Sequence, residues 1–304
     1  MKIVSLLPSA TEIVYELGLG GQLVGVSSDC DHPPEARHKP VISDSALDID
    51  EETSPGEVDA EVRGRVADSE PIYRLDRDLV RELRPDLILA QDLCRVCAVP
   101  SGHVTEALEK LGCESDVISL DPHSLGEVLE GIVQVADACN ASERGNELIS
   151  DLRSRIEAVR SIASGQEAIA TLALEWADPP FSGGHWIPGM VRIAGGRDVL
   201  GIEGAPSRTC AWSEIGDAAP DTIVFMPCGY GLNEAIAQAH GLNDIPEFAS
   251  TPAAARGQVW AVDGSSHFSR PGPRLVDGLE ILAWILHPQS FPEPSGDRVQ
   301  RVAK

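Results

Sequence analysis

Two stretches of this chain follow one grammar, and that repetition constrains the fold more than any other feature. DLVRELRPDLILAQDLC (78–94) and SEIGDAAPDTIVFMPCG (213–229) each read as a short helix, a Pro-Asp break, an apolar strand and a cysteine-containing loop. Proline ends a helix because it lacks the N–H that the next turn needs, and it biases the residue before it away from the helical region. The short apolar run after each break is long enough for a buried strand and too short for a packed helix. A helix–strand unit that recurs about 135 residues later predicts two similar α/β lobes.

The rest of the chain fits this frame. KIVSLL (2–7) reads as a buried strand, TEIVYELG (11–18) as a helix and QLVGVS (22–27) as the next strand. Ser9 and Glu12 stand at capping-box spacing ahead of that helix. The stretch from Asp44 to Asp59 is polar and reads as a surface excursion, after which Ser54-Pro55 starts a helix that ends near Asp68. A helix is expected from about Gly102 to Leu111, and ESDVISL (114–120) is a further strand. Leu125, Val128, Leu129, Ile132, Val133 and Val135 then lie at helical spacing, and a longer helix follows from about Glu143 to Ile162. At ~1.5 Å per residue the longer one spans about 30 Å, the width of a small domain. Beyond Ser164-Gly165 the pattern restarts with AIATLALEW, a helix closed by MVRIAGG, DVLG, QVWAV and a last helix RLVDGLEILAWIL. The expected division is an N-terminal lobe over 1–140, a bridging helix over 141–163 and a C-terminal lobe over 164–304.

Composition narrows the function classes. With 48 acidic and 24 basic residues in 304, the formal charge is −24, which argues against nucleic acid as a partner, because a phosphate backbone selects basic surfaces. No apolar run reaches the ~18 residues of a membrane helix. Only Lys2, Lys39, Lys110 and Lys304 are lysines; the other bases are arginines. An acid excess with few lysines suits a salt-rich cytoplasm, where negative surface keeps proteins soluble, and an Arg-favouring genome accounts for the arginines equally well. MKIVSLLPSATEIVYELGLG is a poor signal peptide, interrupted by Pro8, Ser9, Thr11 and Glu12 and lacking a cleavage site. The chain as written therefore reads as cytoplasmic, and as extracytoplasmic if a leader has been removed.

Several segments taken together resemble the cobalamin-type substrate-binding proteins of ABC importers, within the wider group that also binds siderophores and haem. They are IVSLLPSATEIVYELGLGGQLVGVS, LRPDLILAQ, the 142–162 helix, MVRIAGGRDVLG, SEIGDAAPDTIVF and RPGPRLVDGLEIL, in the family's order over most of the chain. The resemblance implies two α/β lobes bridged by one long rigid helix, a ligand cleft between them, non-enzymatic binding of a corrinoid (cobalamin or a relative), and an ABC transporter permease as a partner. The CDHPPE, QDLC-x-VCAV, PPF-x-x-GHWIP and PCG loops are similar to a signal-less branch described as cobalamin-binding.

Ligands of open α/β sheets bind beyond the carboxyl ends of the strands. The loops there hold Pro8, Ser9, Asp29, Asp31 and Asp92 in the first half, and Trp176, Phe181, His185, Trp186, His267 and Phe268 in the second. Gly183-Gly184 permits a close backbone approach. Trp176, Phe181 and Trp186 are candidate rings to stack on or edge a flat macrocycle, and His185 a candidate axial nitrogen; a backbone-satisfied histidine is the plainer alternative. The aspartates are candidate acceptors from corrin amides, against the plainer reading of solvated acids. Trp212 and Trp260 read as packing residues.

Of the seven cysteines, Cys30, Cys94, Cys97 and Cys228 fall in strand-end loops. Cys94-x-x-Cys97 has the spacing of a Zn or iron–sulfur ligand pair, or of a redox pair. One pair is not a full ligand set: Cys30 and Cys228 would have to complete it, with His32 or His185 as substitutes, and small packing groups are the alternative. A cytosolic metalloprotein or enzyme on this fold is therefore the competing reading. Against an enzyme, the chain lacks Gly-x-Ser-x-Gly, a Walker lysine and His-Glu-x-x-His, and Gly18-x-Gly20-Gly21 follows a helix instead of opening one.

Overall fold

The structure is a computed structural model that describes residues 1–50, 53–68, 70–91, 102 and 114–302. The chain divides into two compact units. The first comprises Met1–Pro122 and Leu129–Ser150, the second His123–Val128 and Asp151–Lys304. The boundaries fall inside the helices Leu125–Ala138 and Ser142–Ala163, so each helix contributes residues to both units.

The first unit is built on a six-stranded sheet: β1 (Ile3–Ser5), β2 (Leu23–Ser27), β3 (Val41–Ser45), β4 (Tyr73–Leu75), β5 (Leu87–Ala90) and β6 (Asp116–Ser119). The order is β4-β3-β2-β1-β5-β6. All neighbours are parallel except β3 and β4. β1 and β5 are buried along their whole length, as central strands covered on both faces require. The chain winds from β1 towards β3 on one side and resumes at β5 on the other, so the topological switch point lies between β1 and β5. Their carboxyl ends lead into Pro8-Ser9 and into the segment that begins at Gln91.

The second unit has a seven-stranded mixed sheet: β7 (Ile169–Ala177), β8 (Pro180–Ser182), β9 (Gly196–Asp198), β10 (Arg208–Thr209), β11 (Thr222–Phe225), β12 (Val259–Val262) and β13 (Val299–Arg301). The main order is β10-β8-β7-β11-β12-β13. β7, β11 and β12 run parallel. β9 pairs with the first residues of β7 and β8 with the last, so the two share one edge of that strand. The core joins Leu172, Leu174, Ile223 and Phe225 of the sheet to Ala235, Ala239 and Phe248 of the covering helices.

The Pro-Asp repeat is real in three dimensions. The helix Arg77–Leu83 is capped by Asp76, whose carboxylate accepts from Leu79 N at 2.9 Å. It ends at Arg84, in the left-handed region (φ 48°), immediately before Pro85. The helix Trp212–Ala218 ends likewise at Ala219 (φ 46°), before Pro220. In both places a non-glycine residue takes the left-handed form, because the proline behind it disfavours the helical one. Each aspartate then accepts a hydrogen bond from a distant residue: Asp86 from the backbone N–H of Lys2 at 2.6 Å, and Asp221 from the Arg256 guanidinium Nη1 at 2.7 Å.

Other expectations need correction. The first helix runs Pro8–Glu16 and starts with proline at its first position; no side chain caps it. Ser9 and Glu12 are buried inside that helix, so the capping box expected there does not exist. The box forms instead at Ser54, which accepts from Glu57 N while Glu57 accepts from Ser54 N at 2.9 Å. β3 ends inside the stretch read as a polar excursion. The PPF segment, read as a loop, is the strand β8. DVLG follows its helix as QLVGV follows the first and so reads as a strand, yet β9 is only Gly196–Asp198. Trp212 and Trp260 pack as anticipated, edge-on against Phe248 at 6.0 Å and Trp284 at 5.3 Å. Among the described residues no helix is long and apolar enough to cross a membrane.

Candidate functional site

In the second unit the carboxyl ends of β7, β11 and β12 are tied together by backbone hydrogen bonds. Met226 N donates to Leu174 O at 2.9 Å, Cys228 N to Glu175 O at 3.1 Å and Ser265 N to Tyr230 O at 3.0 Å. A Cβ on Gly264 would lie 2.4 Å from Pro227 O, so only glycine lets the β12 end approach the β11 loop this closely.

Glu175 anchors the next turn of chain. Its carboxylate accepts from Gly184 N at 3.2 Å and from the Ser207 hydroxyl. Gly184 is pressed against backbone, with any Cβ placed 2.1 Å from Ser207 N. This contact holds the next residue, His185, at φ 50°, where its N donates to Ala205 O at 2.6 Å and its O accepts from Gly204 N at 2.9 Å. Burial first, and His123 second, push the His185 imidazole below its usual range.

On this frame Trp176, Phe181 and Tyr230 form an aromatic shelf. Trp176 and Phe181 are register partners across β7 and β8. The Trp176 and Tyr230 rings stand 5.6 Å apart, and all three side chains are half-buried. The Trp176 indole N–H donates to Asp178 O at 3.0 Å. Tyr230 was not anticipated; an aromatic three residues past Pro227 in a strand-end loop was the available signal. Its phenol is pushed up, chiefly by burial.

Trp186, His267 and Phe268 are placed differently from the shelf. Trp186 is only 6 % exposed and donates its indole N–H to Phe268 O at 2.8 Å. Phe268 and His267 are buried too. These groups lock the start of the helix Ile187–Ile193 to the loop after β12, and Trp186 is an anchor within the unit where an open stacking ring was expected. His267 keeps a buried Nδ1 without a hydrogen-bond partner.

In the first unit Pro8 is half-buried and Ser9 buried at the start of the first helix. Asp29, beyond β2, is exposed and accepts from the Tyr73 hydroxyl at 3.2 Å. Asp31 lies 3.5 Å from Arg37. Cys30 is buried, and its sulfur accepts from the Thr11 hydroxyl at 3.1 Å. Cys228 is exposed at the end of β11 in the second unit. Asp92, Cys94 and Cys97 lie outside the described residues. Among the described residues no three His, Cys, Asp or Glu side chains are grouped to hold a metal ion.

The chain belongs to the periplasmic binding protein family, whose description matches residues 3–265. Membership of a binding-protein family agrees with the non-enzymatic expectation. The chain is similar to an uncharacterised ABC transporter substrate-binding lipoprotein of Bacillus subtilis (26 % identical, covering 96 % of this chain and 82 % of that protein). It is similar to the vitamin B12-binding protein of Vibrio cholerae as well (25 % identical, covering 94 % and 88 %). The fold matches the periplasmic haem-binding protein RhuT of Roseiflexus sp. RS-1 with a TM-score of 0.71 (24 % identity, 95 % and 98 % covered). It matches the periplasmic vitamin B12-binding protein BtuF of Vibrio cholerae at 0.69 (23 % identity, 94 % and 96 % covered).

Proposed function

We propose that the protein is the ligand-binding component of an ABC importer and takes a corrinoid. The observation that carries this reading is the half-buried Trp176–Phe181–Tyr230 shelf, held at the strand ends of the second unit by a fixed backbone. A flat, largely apolar macrocycle with polar edges suits such a surface: rings offer stacking area with little side-chain entropy to lose. The relation to a vitamin B12-binding protein over nearly the whole chain supports the choice of ligand. Asp29 and Asp31, and Asp92 outside the described residues, are the proposed acceptors for amide edges, with Pro8 and Ser9 shaping the end of β1. His185 is a proposed polar contact beside the shelf. The relatives' descriptions as a lipoprotein and as periplasmic support an extracytoplasmic place of work and a permease partner.

Titration of the protein with cyanocobalamin, cobinamide and haem, followed by absorbance and calorimetry, tests this. Saturable one-to-one binding of a corrinoid is expected, and Trp176→Ala should weaken it by roughly 1–3 kcal/mol. Binding of haem without either corrinoid, or of none of the three, would overturn the corrinoid reading.

A further inference from the structure

His123 opens the second unit's short first segment, just ahead of the helix Leu125–Ala138, and its ring lies 5.7 Å from that of His185 at an interplanar angle of 42°. No function described above requires this pair. An ion bound ~2.0–2.1 Å from an imidazole nitrogen stands roughly 3 Å from the centre of that ring, so two rings sharing one ion at tetrahedral to trigonal angles have centres roughly 5–6 Å apart. The observed spacing falls in that window. His185 cannot drift out of it easily: its backbone is fixed on both sides by Ala205 and Gly204, and Gly184 before it is wedged against Ser207. The backbone of His123 is held by Glu127, whose carboxylate accepts from His123 N at 2.7 Å. His123 itself is exposed, so an ion can reach the pair from solvent.

We infer that His123 and His185 form a two-imidazole site for a borderline divalent transition-metal ion, Zn²⁺, Ni²⁺ or Cu²⁺, whose remaining positions are filled by water or by an incoming ligand. Imidazole suits these ions, whereas Mg²⁺ and Ca²⁺ select oxygen. His185 is shared with the proposed ligand surface, whereas His123 is not, and the pair requires no macrocycle to hold an ion.

The test is metal binding to the full chain without organic ligand. Equilibrium dialysis with Ni²⁺ and Zn²⁺ should give one ion whose affinity falls at least tenfold in His123→Gln and at least tenfold in His185→Asn, with His240→Gln unchanged. Asparagine is chosen at 185 because it tolerates the left-handed backbone, and His240 is an exposed histidine of the helix Leu232–Leu242. Histidine side-chain NMR gives a second readout that needs no variant. Substoichiometric Cu²⁺ should broaden the His123 and His185 resonances before those of the other six histidines. Affinities unchanged in both variants, a loss in only one of them, or earlier broadening at other histidines would overturn the site.

Discussion

The strand ends of the two units solve the same topological problem in different ways. In the first unit β1 runs directly into a helix at Pro8, and the residues there are small and inward: Ser9 and Thr11 are buried, and Thr11 donates to the Cys30 sulfur. Strand ends are joined laterally by backbone bonds in both units, at Leu6, Ser28 and Leu120 in the first and at Met226, Cys228 and Ser265 in the second, but in the second glycines at 184 and 264 also bring backbone against backbone. The first arrangement is a packed helix start, in which side chains are adjustable. The second is a rigid frame on which large rings can be displayed. A surface that must hold a stiff ligand gains affinity when its own rings are already fixed, which is why the second unit is the one read as the recognition surface.

The sharpest way to break that contrast is to press on glycines of each kind. In Gly184→Ala the new methyl meets Ser207 N at 2.1 Å and Pro206 C at 2.6 Å, both backbone atoms. In Gly25→Ala, inside β2 of the first unit, it meets Ile42 Cδ1 at 2.1 Å and Cγ1 at 2.7 Å, side-chain atoms of a buried residue that must shift but are not backbone. Gly184→Ala should cost about 3 kcal/mol and Gly25→Ala about 1 kcal/mol, since overpacking is dearest where nothing can yield. Urea unfolding midpoints measure both. Equal losses would mean that the two frames are equally stiff.

A second comparison separates anchor from display within one unit. Trp186→Phe removes the buried N–H that satisfies Phe268 O, and should cost about 2 kcal/mol because a buried carbonyl is left without its donor. Trp176→Phe loses only a solvent-accessible bond to Asp178 O and should stay within about 0.5 kcal/mol. For ligand affinity the ranking should reverse, with Trp176 the sensitive position. A large stability loss at Trp176 would place it in the frame itself.

Much of this contrast was legible from residues, and the illegible part has a physical cause. The Pro-Asp junctions, the β7 and β11 strands and the two long helices are local: their signals are a proline, a periodic face or an apolar run, each of which acts within a few residues. β8, β10 and β13 are two or three residues long and exist only because β7, β8 and β12 respectively offer them an edge. Pro180 at the start of β8 hid that strand, since proline is tolerated there only as a first residue. Trp186 looked like a display ring because it follows Gly183-Gly184. Its burial is decided by the loop after β12, 82 residues away. Ser9 misled for the opposite reason, because Pro8 already supplied the helix start that a cap would have given.

Two cysteines make a smaller test of the same difference. Cys30→Ala removes a buried sulfur and the acceptor of the Thr11 hydroxyl, for which about 1–2 kcal/mol is expected from lost packing and a weakened hydrogen bond. Cys228→Ser, at an exposed position, should change stability by less than about 0.5 kcal/mol. Reversed ranks would show that the end of β11 is a packed element and that the first unit's loop is the open one.

The gentlest probe is pH, read as a slope in thermal stability. Both described histidines pushed below their ordinary range, His185 and His267, sit in the second unit. His267 has two acids, Asp263 and Asp277, and two bases, Arg274 and Arg298, acting on it; their influences oppose one another, and burial decides the direction. A histidine depressed in the folded state binds its proton more tightly when unfolded, near 6.5. Stability is therefore complete above that value and declines as pH falls through it, levelling only below the folded value. Thermal midpoints measured from pH 8 to pH 5 should fall, and His267→Leu should flatten the part of the slope that His267 contributes, since a neutral side chain has no proton to gain. Acid loss that is identical in wild type and His267→Leu would move the origin of the slope to other groups, and would leave the unpartnered Nδ1 without consequence for folding.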